Sequence, residues 1–246
     1  VLDLEERGEV TIMRLQHGKV NALDLELLLA VTEAMRAVDQ ARAVVITGSG
    51  PAFSAGVDLQ RIVAGGPSYV KEFLPALSES FMAIFDHPGP VVAAVNGHAI
   101  AGGCVIAAAC DIRLMSQGKI GLAELSVGVP FPPVPMEIMR HATGAAVGHL
   151  VLTAELLDPA QAQSIGLVQR ICEAEVLLDS AVDRARQMAR IPADVFSFSK
   201  RQLQQPARDR IAARSGDEEA ATAMWSSART LDAIARYLGA LRDRAR

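Results

Sequence analysis

With 246 residues, half of them apolar, the chain is long enough to bury a substantial core, as one large domain or as a domain with a small appendage. Its 28 acidic residues against 24 basic ones leave a mildly acidic balance, which excludes a global field that would gather nucleic acid or an anionic membrane. The three cysteines, Cys104, Cys110 and Cys172, lack the CxxC spacing of a zinc or dithiol site, so no metal centre is expected and a reducing, cytoplasmic setting is the simplest expectation.

Residues 1–7 carry acidic charge and no apolar run, so no signal peptide is expected. A β-branched run at 10–15 predicts a strand, residues 24–41 an amphipathic helix, and 43–47 a second strand. The cycle returns with a helix at 69–85, a strand at 91–95, a helix at 102–109 and a short strand at 111–115, and this alternation predicts an α/β fold. The most apolar stretch, 91–110, contains Asn96, His98 and several glycines, which fits a buried strand, turn and helix better than a membrane span.

Two glycine-containing turns interrupt this pattern: Phe53-Ser54-Ala55-Gly56-Val57-Asp58-Leu59 and Ala101-Gly102-Gly103-Cys104. Each can aim a free backbone N–H at one point, and a convergent pair of such donors stabilises a developing oxyanion without any side chain. Glu124 follows shortly downstream as the natural acid/base partner. Prolines at 130, 132, 133 and 135 forbid regular helix and predict a stiff loop, able to wall a pocket, leading into a helix at 136–142. Beyond Pro192 the pattern is helical, at 194–204 and from 217 onward, which divides the chain into a core of 1–191 and a helical C-terminal segment of 192–246.

Four motifs in order, Asn21-Ala22-Leu23, Phe53 to Leu59, Asn96 to Cys104 and Gly121 to Gly128, make nearly the whole chain resemble the crotonase superfamily, also called the enoyl-CoA hydratase/isomerase family. The resemblance implies a spiral of ββα units with a C-terminal helical appendage. It implies that the N–H groups of Val57 and Gly102 hold the carbonyl oxygen of an acyl-CoA thioester. It also places coenzyme A, as part of the substrate and with no separate cofactor, near Ala22, Ala55, Asp58 and Leu59, with Lys19 as a phosphate contact. Homotrimers, often paired into hexamers, are implied too, and Trp225, Ile234, Tyr237 and Leu238 offer an apolar helical face for such a contact or for packing within the subunit.

One departure carries the sharper information. Family members that hydrate enoyl-CoA typically use two glutamates, and the position of the first is Val105 here, leaving Glu124 alone. Hydration needs one group to activate water and another means of delivering a proton to the α-carbon, whereas moving a double bond from the 3- to the 2-position needs a single carboxylate to take a proton from C2 and return it to C4. Residues 120–124 resemble the corresponding segment of the family's 3,2-enoyl-CoA isomerases, with Ala123 replacing an asparagine. The expected activity is therefore that isomerisation. A hydratase or other crotonase chemistry with an atypical site, and a non-catalytic acyl-CoA-binding protein, are the alternatives.

Other residues have plainer readings. Asp58 is either a helix cap or a ligand contact. His98 reads as a hydrogen-bonded structural histidine. Glu137 and His141, four apart, read as an exposed helix pair. Phe196, Phe198 and Lys200 fit either a cover for the nucleotide or a helix core with one solvated lysine.

Overall fold

In the computed structural model, which describes residues 1–244, the β-branched runs become a six-stranded sheet. Leu2–Arg7 (β1) and Val10–Leu15 (β2) form an antiparallel hairpin, and β2 then pairs in parallel with Ala43–Gly48 (β3) after the helix Leu25–Ala37 (α1). Asp24 caps α1 by accepting the Leu27 N–H at 2.9 Å. The helix stops at Ala37, short of the expected 41, because Val38 turns extended.

From β3 onward the chain repeats one unit three times. Each unit is a strand in the main sheet, a short strand in a second sheet, and a helix. The first is β3, Ala52–Ser54 (β4) and Leu59–Phe85 (α2); the second is Val91–Val95 (β5), His98–Ile100 (β6) and Gly102–Ala109 (α3); the third is Ile112–Met115 (β7), Ile120–Gly121 (β8) and Glu124–Val127 (α4). β3, β5 and β7 lie parallel in one sheet, and β4, β6 and β8 parallel in the other, with Ser54 opposite Ala99 and Ile100 opposite Gly121. This is the spiral of ββα units. Its consequence is that the starts of α2, α3 and α4 all follow neighbouring strands of one small sheet.

α2 begins ten residues earlier than expected. The helical pattern of 59–65 is separated from that of 67–85 by Gly66, whose φ of 60° and ψ of −155° break the helix and suit glycine alone. Pro67 then opens the second half, where its missing N–H costs nothing. The expected proline loop is likewise shorter: Pro133–Thr143 is helical (α5), with Pro133 and Pro135 in the first turn, where orphan N–H positions accept proline.

The chain continues through Val147–Thr153 (α6), Leu156–Leu157 (β9), Pro159–Ser164 (α7), Arg170–Ile171 (β10) and Leu177–Ala189 (α8). β9 and β10 close the edges of the two sheets. Leu177, Ala181, Val182 and Ala185 of α8 cover one face of the main sheet, against Ile12, Val45 and Val92, while α1, α2 and α3 cover the other. Burial on both faces explains why these strands read as continuous apolar runs without alternation. Three last helices, Ala193–Ala213 (α9), Ser215–Trp225 (α10) and Ala228–Arg244 (α11), pack back onto the core. Among the described residues no helix is long and apolar enough to cross a membrane.

Candidate active site

Asn21 organises the first wall. Fully buried with φ of 51°, it donates from Nδ2 to the carbonyls of Ser49, Ala52 and Phe53, and its Oδ1 accepts the His17 N–H. The next residues are laced to the first glycine turn by Ala55 N–H to Val20 O, Leu23 N–H to Gly56 O and Asp58 N–H to Leu23 O, at 2.8–2.9 Å. Ser54 Oγ donates to Asn21 O at 2.7 Å and accepts the Gly56 N–H. These bonds consume the neighbours of Val57 and leave the Val57 N–H without a protein acceptor among the described residues.

The second turn meets the first by contact. Gly56, at φ +84°, sits so close that a Cβ there would lie 2.6 Å from Ile100 O and 2.9 Å from the Ala101 Cβ. Ala101 itself takes φ 52° and ψ −121° as it enters α3, a conformation that costs a non-glycine residue about 1–3 kcal/mol. Its N–H is held by Gly121 O at 2.8 Å. Gly102 then stands first in α3, where helix geometry leaves its N–H unpaired and the dipole favours negative charge. A Cβ at 102 would strike Leu23 Cδ1 at 2.6 Å, and one at 103 would strike Ser54 O at 2.3 Å. Gly103 therefore serves close helix-to-strand packing.

Glu124 opens α4 and is 8% exposed. Its Oε2 is buried with no hydrogen-bond partner among the described residues. Burial pushes its pKa up to about 7, against a partial pull downward from the N–H groups of Glu124 and Ala123. Near neutral pH the carboxyl is thus divided between a form that takes a proton and one that gives it.

A cavity of about 460 Å³ joins these parts. Ala22, Ala55, Val57, Asp58, Leu59, Gly102 and Glu124 all line it. Lys19 is exposed and lies outside the lining. Asp58 takes both of its readings at once: it faces the cavity and caps α2, with Oδ1 accepting the N–H groups of Gln60 and Arg61 at 3.0 Å. Asp58 is only half-buried, so Glu124 is the buried carboxylate of the lining, with one oxygen left unpartnered. Val105, 1% exposed, supplies bare hydrocarbon to the wall.

Four further wall residues, Trp225, Tyr237, Leu238 and Leu241, come from α10 and α11. The apolar face of the last helices thus closes its own cavity, the second of its two readings, while Tyr237, Leu238 and Leu241 keep part of their surface exposed. Its 3.6-residue stripe was visible in the sequence, but what it faces was not. Trp225 is fully buried and its Nε1–H donates to Pro130 O at 2.9 Å, which fastens the proline segment to α10. Ala233 packs on Gly128, the left-handed cap of α4, at 3.2 Å for a Cβ at 128.

Other expectations are corrected by burial. Glu137 is fully buried and holds Arg210 and Arg140 at 2.5 and 3.2 Å, while His141 turns away to lie edge-on to Phe85. Lys200 is neither solvated nor at the cavity: it is 6% exposed and bonds Asp111 at 2.9 Å and Gly89 O at 3.1 Å. Phe198 is 56% exposed and Phe196 lies in a different pocket. The His98 ring accepts the Lys119 N–H, a structural role. No group of three or more metal-binding side chains forms among the described residues.

Residues 5–240 match the family model described as enoyl-CoA hydratase/isomerase. The chain is 33% identical to a putative enoyl-CoA hydratase of Thermus thermophilus, over 75% of this chain and 76% of that protein. It is 26% identical to the mitochondrial enoyl-CoA delta isomerase 1 of Homo sapiens, over 82% and 70% of the two chains. The solved structure of human mitochondrial delta3-delta2-enoyl-CoA isomerase superposes with a TM-score of 0.91 at 25% identity, covering 99% of this chain and 98% of the other.

Proposed function

The chain belongs to the enoyl-CoA hydratase/isomerase family, and within it we propose that this protein is an isomerase that shifts a double bond from the 3- to the 2-position of an enoyl-CoA. The observation that carries the proposal is the single buried carboxylate, Glu124, in a cavity that Val105 lines where hydrating relatives carry a second glutamate.

The thioester carbonyl sits between the Val57 and Gly102 N–H groups. Ionised Glu124 takes a proton from C2; the C–H electron pair forms a C1–C2 double bond as the carbonyl pair moves to oxygen. The two N–H donors stabilise that negative charge, and loss of one such donor typically costs about 3–4 kcal/mol. The enolate then collapses: the carbonyl re-forms, the double bond settles between C2 and C3, and C4 takes the proton back from Glu124. The proton count returns to its start, so no second acid is required. The apolar wall keeps the base desolvated and its pKa near the working pH.

Coenzyme A runs along Ala22, Ala55, Asp58 and Leu59 toward the mouth, and Lys19 meets a phosphate only outside the cavity. We propose a homotrimer or a pair of trimers for the assembly.

Hydration is the second reading, favoured by the name of the 33% identical relative. Purified protein offered a 3-enoyl-CoA and a 2-enoyl-CoA side by side tests both. Conjugation of the first without loss of the second is the expected result. Hydration of the second overturns the isomerase assignment, and binding without turnover of either supports a non-catalytic acyl-CoA binder.

A further inference from the structure

A second pocket, of about 310 Å³, lies on the far side of α3 between the start of β7, the end of α5 and α9. Its charged groups do not balance. Arg113 is 5% exposed, yet its guanidinium meets only carbonyls, Leu167 O from Nε and Cys110 O from Nη1, both at 2.6 Å. Among the described residues it forms no ion pair and its Nη2 has no hydrogen-bond partner. The pocket's one acid, Asp111, is already neutralised by Lys200 at 2.9 Å. One buried positive charge is left over.

Removing a guanidinium from water is costly unless a counter-charge meets it. The neighbouring His141 ring senses the surplus: burial lowers its pKa, and Arg113, Arg210 and Lys200 lower it further, with Asp111 alone opposing. Apart from Ser199 and Gln204, the remaining walls are apolar, including Phe85, Ile112, Met188, Phe196 and Leu203.

We propose that this pocket binds a small organic monocarboxylate, with its carboxylate on Arg113 Nη2 and its hydrocarbon body against the apolar walls. A monoanion matches the single surplus charge. A phosphate dianion carries one charge too many for the site and no apolar body for its walls. With Nε and Nη1 held by carbonyls, Nη2 is the guanidinium nitrogen left to donate a charge-assisted hydrogen bond to the carboxylate. The site is separate from the Glu124 cavity, with which it shares no lining residue.

His141 provides a local reporter. Its ring resonances, assigned with His141→Gln, are followed by NMR across a pH titration of the full-length protein in hexanoate, in inorganic phosphate and in sodium chloride of matched ionic strength. Hexanoate is expected to raise the His141 titration midpoint in a saturable way and beyond the chloride control, because a bound anion offsets the surrounding cations. Arg113→Gln should weaken that binding about tenfold or more, the scale of one charge-assisted contact. Because replacing buried Arg113 puts folding at risk, a second variant is used: Ser199→Glu, at an exposed position of the same lining, adds a carboxylate to the pocket and should weaken hexanoate by a similar factor. A midpoint that moves no further in hexanoate than in chloride overturns the site. So does hexanoate binding untouched by a folded variant, and phosphate binding as tightly as hexanoate overturns the choice of a monocarboxylate.

Discussion

Gly56 and Ala101 touch across the two turns that frame the cavity, so closely that a Cβ at 56 would lie 2.9 Å from the Ala101 Cβ. Gly56→Ala forces the turns apart and also places a side chain at φ +84°. We expect a stability loss of about 1–3 kcal/mol and a fall in kcat/KM of roughly two orders of magnitude or more, the scale of one lost oxyanion donor. Steady-state kinetics with a denaturant melt checks both, and unchanged kcat in a folded variant would remove Val57 from the hole.

Glu124→Gln separates catalysis from stability. Turnover should fall by about 10²–10⁴, while acyl-CoA binding persists. The native pKa of about 7 stands above the unfolded value of 4.5, so between these values the folded state holds a proton that the unfolded state lacks. The group's stability contribution is complete below the unfolded pKa and is lost as pH rises through about 7. Glutamine avoids that loss, so above pH 8 the variant should be more stable by up to about 3 kcal/mol, read as a rise in Tm of roughly 2–4 °C per kcal/mol. A variant no more stable than the parent at alkaline pH would contradict the raised pKa.

Wild-type activity should depend on pH through the same group. Proton abstraction needs the ionised carboxylate, so kcat/KM for a 3-enoyl-CoA rises with pH and levels off above about 7. A profile already flat from pH 5 would mean that the base is not buried Glu124.

Val105→Glu tests the proposal that one carboxylate suffices. Val105 and Glu124 line one cavity, so a second buried carboxyl raises at least one of the two pKa values further and supplies the missing partner for water addition. We expect hydration of a 2-enoyl-CoA to appear while isomerisation falls. The conjugated thioester absorbance follows the first, and a folded variant with no gain of hydration would show that more than this residue separates the two reactions.

Trp225→Phe keeps an aromatic side chain, removes the donor to Pro130 O, and leaves part of the buried indole volume empty at a further cost in stability. The lost bond costs about 1 kcal/mol and frees the proline segment from α10, so KM should rise with kcat nearly unchanged. In the same preparations, light scattering should give three or six times the chain's 26.1 kDa; a monomer would set aside the proposed assembly.

The order of strands and helices was legible in the sequence because both faces of the main sheet are covered, which leaves apolar runs such as Val91 to Val95. The two glycine turns were legible because the fold demands glycine there: Gly56 needs its positive φ, and Gly103 has no room for a Cβ against Ser54. Glu124 followed from its place beside them. Strands of two or three residues, such as β8 and β9, are too short to show a period, and Gly66-Pro67 masked the first turns of α2 because a break and a helix end look alike in sequence. The larger omissions are long-range. Nothing local to Glu137 announces that Arg210, 73 residues away, will pair with it, and nothing local to α11 says that Tyr237 and Leu238 will line the cavity that holds Glu124. Periodicity sets which face of a helix is apolar; only the packing of the whole chain decides what that face meets.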